Sequence, residues 1–156
     1  MIDLDRKKAL SRVLSDLTGL VHIYHYQNVK EPSTAFFSSE IKDTGAISKG
    51  EKILSRNIDG NPVETVRFSD ELMWYIQGVG EGVTMKLKQF CRDVKLTNNI
   101  ARLYDEVGVS LRIENPVLDI TEIRGAEYVE RASCDIVIQT FSEASAETYE
   151  IDEVTI

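Results

Sequence analysis

Glu71-Leu72-Met73-Trp74-Tyr75-Ile76-Gln77-Gly78-Val79-Gly80-Glu81-Gly82 is the stretch that decides the fold. Its first nine residues are dominated by aromatic and β-forming types, and the glycines at 78, 80 and 82 end the extended run. Apolar side chains at both odd and even positions predict a strand buried on both faces. The pattern then changes period. Val83, Leu87, Phe90 and Val94 form one helical stripe, with Lys86, Lys88, Arg92 and Lys95 toward its C-terminal half. Thr97 is a suitable N-cap for a second helix with the stripe Ile100, Leu103, Tyr104 and Val107, closed by a left-handed Gly108.

Upstream, Asp3 to Leu20 reads as an amphipathic helix carrying Leu10, Val13, Leu14 and Leu17 on one side, with Thr18-Gly19 as its stop. Val21 to Tyr26 and Ser33 to Lys42 read as strands, separated by a polar loop ending in Pro32. The small, glycine-punctuated segment 43–51 is expected to be a mobile loop. Lys52 to Ile58 and Val63 to Phe68 flank Asp59-Gly60-Asn61-Pro62, a hairpin signal.

Downstream, Val109 to Ile113 alternates as a half-buried strand, Asn115-Pro116 interrupts it, and Val117 to Ile123 continues as an edge strand or extended arm. Tyr128 to Phe141 is the longest expected strand, with Ala132, Cys134, Ile136 and Ile138 on one face. Ser142 to Ile156 is an acidic tail with five carboxylates and no cation. The order α-β-β-β-β-α-α-β-β-β, with long hairpin-joined strands and two groups of helices, predicts an α+β domain. It would be a mixed, mostly antiparallel sheet flanked by an N-terminal helix and a central helix pair. No internal repeat or boundary divides residues 1–156.

The chain's 156 residues, 42% hydrophobic and 28% charged, can bury roughly 68–70% of the unfolded surface without a disulfide or metal. No run approaches the roughly 18–20 apolar residues of a membrane span, and Met1 to Lys8 lacks the order of a secretory signal. Synthesis in the cytosol is expected, with no membrane partner. Eighteen basic residues against 26 acidic ones give a net charge of −8. Gripping a nucleic-acid backbone relies on cations. An acidic wall suits a conduit along which DNA slides as a passing polymer.

The constellations that catalysis needs are missing. His22 and His25 lie three apart on an expected strand, so they point to opposite faces and read as partly exposed strand histidines. Gly78-Val79-Gly80-Glu81-Gly82 has the strand–glycine–helix context of a phosphate loop. It lacks the Gly-Lys-Ser/Thr ending and puts Glu81 where a phosphate would sit, so a tight connection is the better account. Cys91 and Cys134 have no CxxC spacing and read as small apolar residues. Acidic pairs such as Asp105-Glu106 read as solvated surface. No catalytic residue, cofactor or metal is assigned. Lys49, Lys52 and Arg56 of the hairpin region read as a solvated face, with one alternative that makes them the candidate site: a subunit interface against Glu147, Glu150, Asp152 and Glu153 of the tail.

Three markers in order carry a family likeness. They are Asp16-Leu17-Thr18-Gly19-Leu20 running into a strand and Tyr26-Gln27-Asn28, Ile76-Gln77-Gly78-Val79-Gly80 before two helices, and Tyr128-Val129-Glu130-Arg131-Ala132 leading to an acidic end with Tyr149-Glu150-Ile151. Over nearly its whole length the chain resembles the neck and tail terminator proteins of tailed phages. The resemblance implies a non-enzymatic virion protein, built in the host cytoplasm. It would form a homo-oligomeric ring, usually a hexamer, at the head-proximal end of the tail, with tail-tube and neck or head-completion proteins as partners. The position of Pro32-Ser33-Thr34 and the length of segment 43–51 depart from that family's pattern. Two other readings are a head-completion or head–tail adaptor protein of the same virion and a small ligand-binding α+β domain.

Overall fold

The computed structural model describes residues 2–25, 27–47, 50–124 and 127–148. Helix α1 (Leu4–Thr18) starts where the Asp3 carboxylate accepts from Arg6 N–H at 2.8 Å, and it stops at Gly19, as expected. Strand β1 (Val21–Tyr24) pairs in parallel with β2 (Phe36–Ile47). Strands β3 (Glu51–Arg56) and β4 (Pro62–Val79) form the expected hairpin. Its 57–61 turn is organised by the Asn57 side chain, which accepts from the N–H groups of Asp59 and Asn61 at 3.0 and 2.9 Å. Helix α2 (Val83–Asp93) follows, and α3 (Thr97–Arg102) widens into a π-helical turn over Leu103–Val107. Strand β5 (Val109–Asp119), the short ribbon β6 (Glu122–Arg124) and β7 (Glu127–Val129), and β8 (Arg131–Glu147) complete the order.

The α+β class is the one read from the sequence. Six strands form one sheet in the order β1-β2-β4-β8-β5, with β3 beside β4 beyond the end of β2. All pairings except β1 with β2 are antiparallel. Register explains the core. Leu72, Trp74 and Ile76 of β4 stand opposite Ile138, Ile136 and Cys134 of β8, so these six side chains share one face. The helices cover that face with Leu10, Val13 and Leu14 from α1, Val83, Leu87 and Phe90 from α2, and Leu103 and Val107 from the π turn. Each fully buried side chain of this kind contributes roughly 1.5–3 kcal/mol.

Several boundaries differ from those expected, each for a physical reason. The stretch 71–79 is covered on one face only. Leu72, Trp74 and Ile76 are buried, whereas Met73 and Tyr75 are half-buried and Gln77 is exposed. Aromatic bulk on the open face is shielded locally instead, as where the Lys42 ammonium lies 6.0 Å from the Tyr75 ring centre. Residues 43–47 of the expected mobile loop continue β2, because β4 runs on and offers backbone groups to pair. A bulge absorbs the mismatch between Asp43 and Ile47, with Gly45 at φ 74° and its N–H donating to the Asp43 carboxylate at 2.8 Å. Residues 48 and 49 lie outside the described set.

The hairpin arm Val63 to Phe68 and the aromatic stretch Glu71 to Val79 are one 18-residue strand. Strand β8 runs six residues past Phe141, so Ser142 to Glu147 of the expected tail pair with Phe68 to Val63. Residues 149–156 are not described. Strand β5 passes through Asn115-Pro116 with two shifts of register, which an edge strand tolerates because one side of its backbone needs no partner. The π turn rotates the second helical stripe: Leu103 and Val107 are buried, but Ile100 and Tyr104 face out.

Candidate functional site

Strands β4 and β8 are longer than the body they belong to. The helix-covered part ends near Asp70 and Thr140. Beyond it β3, the first half of β4 and the last residues of β8 form a three-stranded arm, roughly 23 Å long at about 3.3 Å per residue over Val63 to Ser69. No described residue of 50–70 or 141–148 is buried. The arm also has two open edges among the described residues. One is the outer side of β3. The other is Ser142 to Glu147 of β8, since β5 begins its pairing only at Thr140.

Both faces of the arm are open as well, and they are not purely polar. Leu54 is 71% exposed and Ile58 fully so, with Ile53 and Phe68 near two-fifths. Polar cross-strand links tie the strands of the arm together. Arg67 Nε and a terminal guanidinium nitrogen donate to the Glu143 carboxylate at 2.6 and 2.5 Å, and the guanidinium lies 5.9 Å from the Phe141 ring centre. The carboxylate holds the Arg67 pKa above its ordinary value, first through those hydrogen bonds and then through charge. The hydroxyls of Thr65 and Ser145 are 2.8 Å apart.

The expected interface residues fall on this arm where they are described. Lys52 pairs with Glu64 across the β3–β4 ladder. Arg56 donates to the Gly60 carbonyl at 2.9 Å, and Glu147 accepts from the Asn57 side-chain amide at 2.8 Å. Hairpin and tail residues therefore meet within one chain, Asn57 serving where a cation was expected. Lys49, Glu150, Asp152 and Glu153 lie outside the described residues.

Two features of the body were not foreseen. His22, expected to be partly exposed, is buried between α1 and the sheet; its Nδ1 is 2.7 Å from the Ser11 hydroxyl and its Nε2 2.6 Å from that of Ser39. Trp74 Nε1 donates to the same Ser39 oxygen at 2.7 Å. Trp74 occupies one acceptor site of the Ser39 oxygen, which keeps a second lone pair and its own hydrogen, so in the neutral ring one nitrogen donates to its serine and the other accepts from its serine. Both ring nitrogens are thus committed. Burial, and secondarily the charge of His25, push the His22 pKa down to about 4. His25 is exposed beside Ser38 and Glu40, on the other face as expected.

The second feature is that Cys91 and Cys134 approach to 3.9 Å between sulfurs. Sequence separation hid this, since α2 is laid on β8 by packing and not by any local signal. The glycine segment is the tight connection expected. A Cβ on Gly78 would stand 2.8 Å from Val83 Cβ, and one on Gly80 2.7 Å from Ala35 Cα. Glycine is required there for close packing, and the segment has no anion cradle to explain. Among the described residues, no three His, Cys, Asp or Glu side chains converge as a metal site, and no helix is long and apolar enough to cross a membrane. No protein-family model matches this chain, and no curated protein matches its sequence.

Proposed function

We propose that the chain is a structural virion subunit of a tailed phage. It assembles into a ring at the head-proximal end of the tail, caps the tube there and joins it to the neck. The observation that carries the reading is the uncovered arm. A closed ring of identical subunits needs a heterologous contact that repeats in one register, and open strand edges supply that through backbone hydrogen bonds. An edge strand left unpaired in a monomer is otherwise an aggregation hazard. Burying Ile53, Leu54 and Ile58 against a neighbour would add apolar area to the edge pairing. Lys52 and Arg56 already have partners within the arm. The likeness to phage terminators in the order of the three sequence markers supports the same reading.

The test is deletion of the gene in the phage that encodes it, followed by electron microscopy. Overlong tails are expected. DNA-leaking heads beside tails of normal length would place the protein on the portal side instead, and purified virions free of the chain would overturn both readings.

A further inference from the structure

The two cysteines have a geometry that packing alone does not require. Cys91 on α2 and Cys134 on β8 are 43 residues apart, yet their sulfurs are 3.9 Å apart. Cys134 is sealed in the core, whereas Cys91 is half-buried. Cys91 also lines an open cavity of about 380 Å³ between α2 and β5. Its lining combines apolar Ile113, Pro116 and Val117 with three cations, Lys88, Arg92 and Lys95. Cys91 is among the residues that line it, and Cys134 is not. The thiols are also electrostatically unequal. The hydrogen bond with Cys134 lowers the Cys91 pKa, burial opposes this, and Lys95 adds to the lowering. Cys134 is pushed far up, by the Cys91 sulfur and by burial.

We propose that Cys91 and Cys134 are a redox pair, in which a hydroperoxide admitted by the cavity oxidises Cys91 and Cys134 closes a disulfide between α2 and β8. In the first step the Cys91 thiolate attacks the peroxide oxygen. The O–O bond breaks, its electron pair leaves as an alkoxide or hydroxide that takes a proton, and Cys91 becomes a sulfenic acid. In the second, Cys134 sulfur attacks Cys91 sulfur; the S–O bond breaks, and the hydroxyl leaves as water with the Cys134 proton. The two thiols lose two electrons and the peroxide gains them. The sulfurs must close from 3.9 Å to about 2.05 Å, a combined movement of about 1.9 Å. Lys95 favours the thiolate, and with Lys88 and Arg92 it gives the cavity a positive lining for the departing anion. The pair lies in the helix-covered body, so its chemistry is independent of the arm and of assembly.

The experiment treats the folded full chain with one equivalent of hydrogen peroxide, alkylates it in denaturant, and measures intact mass and peptide map. Loss of two hydrogens, loss of both alkylation sites, a linked Cys91–Cys134 peptide and reversal by dithiothreitol are expected. Under the same treatment Cys134→Ala should form a dimedone adduct at Cys91, while Cys91→Ala should leave Cys134 as a thiol. Two alkylated cysteines, intermolecular dimers, or a twice-oxygenated Cys91 beside a free Cys134 would overturn the proposal. The wild-type peptide map decides even if either alanine variant fails to fold.

Discussion

His22 is held neutral between two hydroxyls, so protonating it is a perturbation with a calculable cost. Its pKa is about 4 in the folded chain, against an ordinary value of 6.5 that the unfolded chain recovers. Above pH 6.5 the ring is neutral in both states and contributes no pH dependence. Between 6.5 and 4 the unfolded state binds a proton that the folded state refuses, so stability falls as pH falls. The full loss is about 3.4 kcal/mol, at about 1.36 kcal/mol for each tenfold difference in proton affinity between 6.5 and about 4. At about pH 5.2, still above the isoelectric point near 4.8, about 1.7 kcal/mol of it should be expressed. Urea unfolding can be followed through Trp74, the only tryptophan of the chain. Titrating carboxylates affect every variant, so the quantity to compare is the change in stability between pH 7.5 and 5.2 for wild type and His22→Gln. Wild type should lose about 1.7 kcal/mol more than the variant. Parallel losses, or an NMR titration of His22 centred near its ordinary value, would refute the reasoning.

Trp74→Phe removes the indole N–H from the buried Ser39 hydroxyl and leaves a void under α2; a loss of about 2 kcal/mol in chemical denaturation is expected. Gly80→Ala forces a methyl group to within 2.7 Å of Ala35 backbone at φ 114°. It should cost about 2 kcal/mol or more, seen as a lower melting temperature. Leu54→Glu on the open arm should leave monomer stability within about 0.5 kcal/mol. The same change should abolish any assembly that wild type shows by light scattering; an unchanged oligomer would remove Leu54 from the joint.

The elements with a buried face were legible from the sequence. The stripe Leu10, Val13, Leu14 and the stripe Val83, Leu87, Phe90, Val94 fall on the helices expected, and the face Ala132, Cys134, Ile136, Ile138 is the one that packs. Burial imposes period, and period can be read. The arm has no buried face, so Ser69-Asp70 and the acidic run after Phe141 looked like breaks when they are residues within continuous paired strands. The His22 network and the cysteine pair were illegible for another reason. Each joins groups from separate elements, and a lone histidine in a strand carries no sign of which serines fold against it. The sequence showed two charged regions, but the intrachain contact between Asn57 and Glu147 was not readable from them because it depends on β8 running its full length.

Because β4 and β8 pass unbroken from body to arm, the alignment of the arm is inherited from the core. A slip of one residue between them would turn Leu72, Trp74 and Ile76 away from the helices, a penalty that far exceeds anything gained at the exposed end. The body therefore acts as a gauge block for the arm. Every copy of the chain therefore presents the two open edges of its described residues at the same height and with the same phase of side chains.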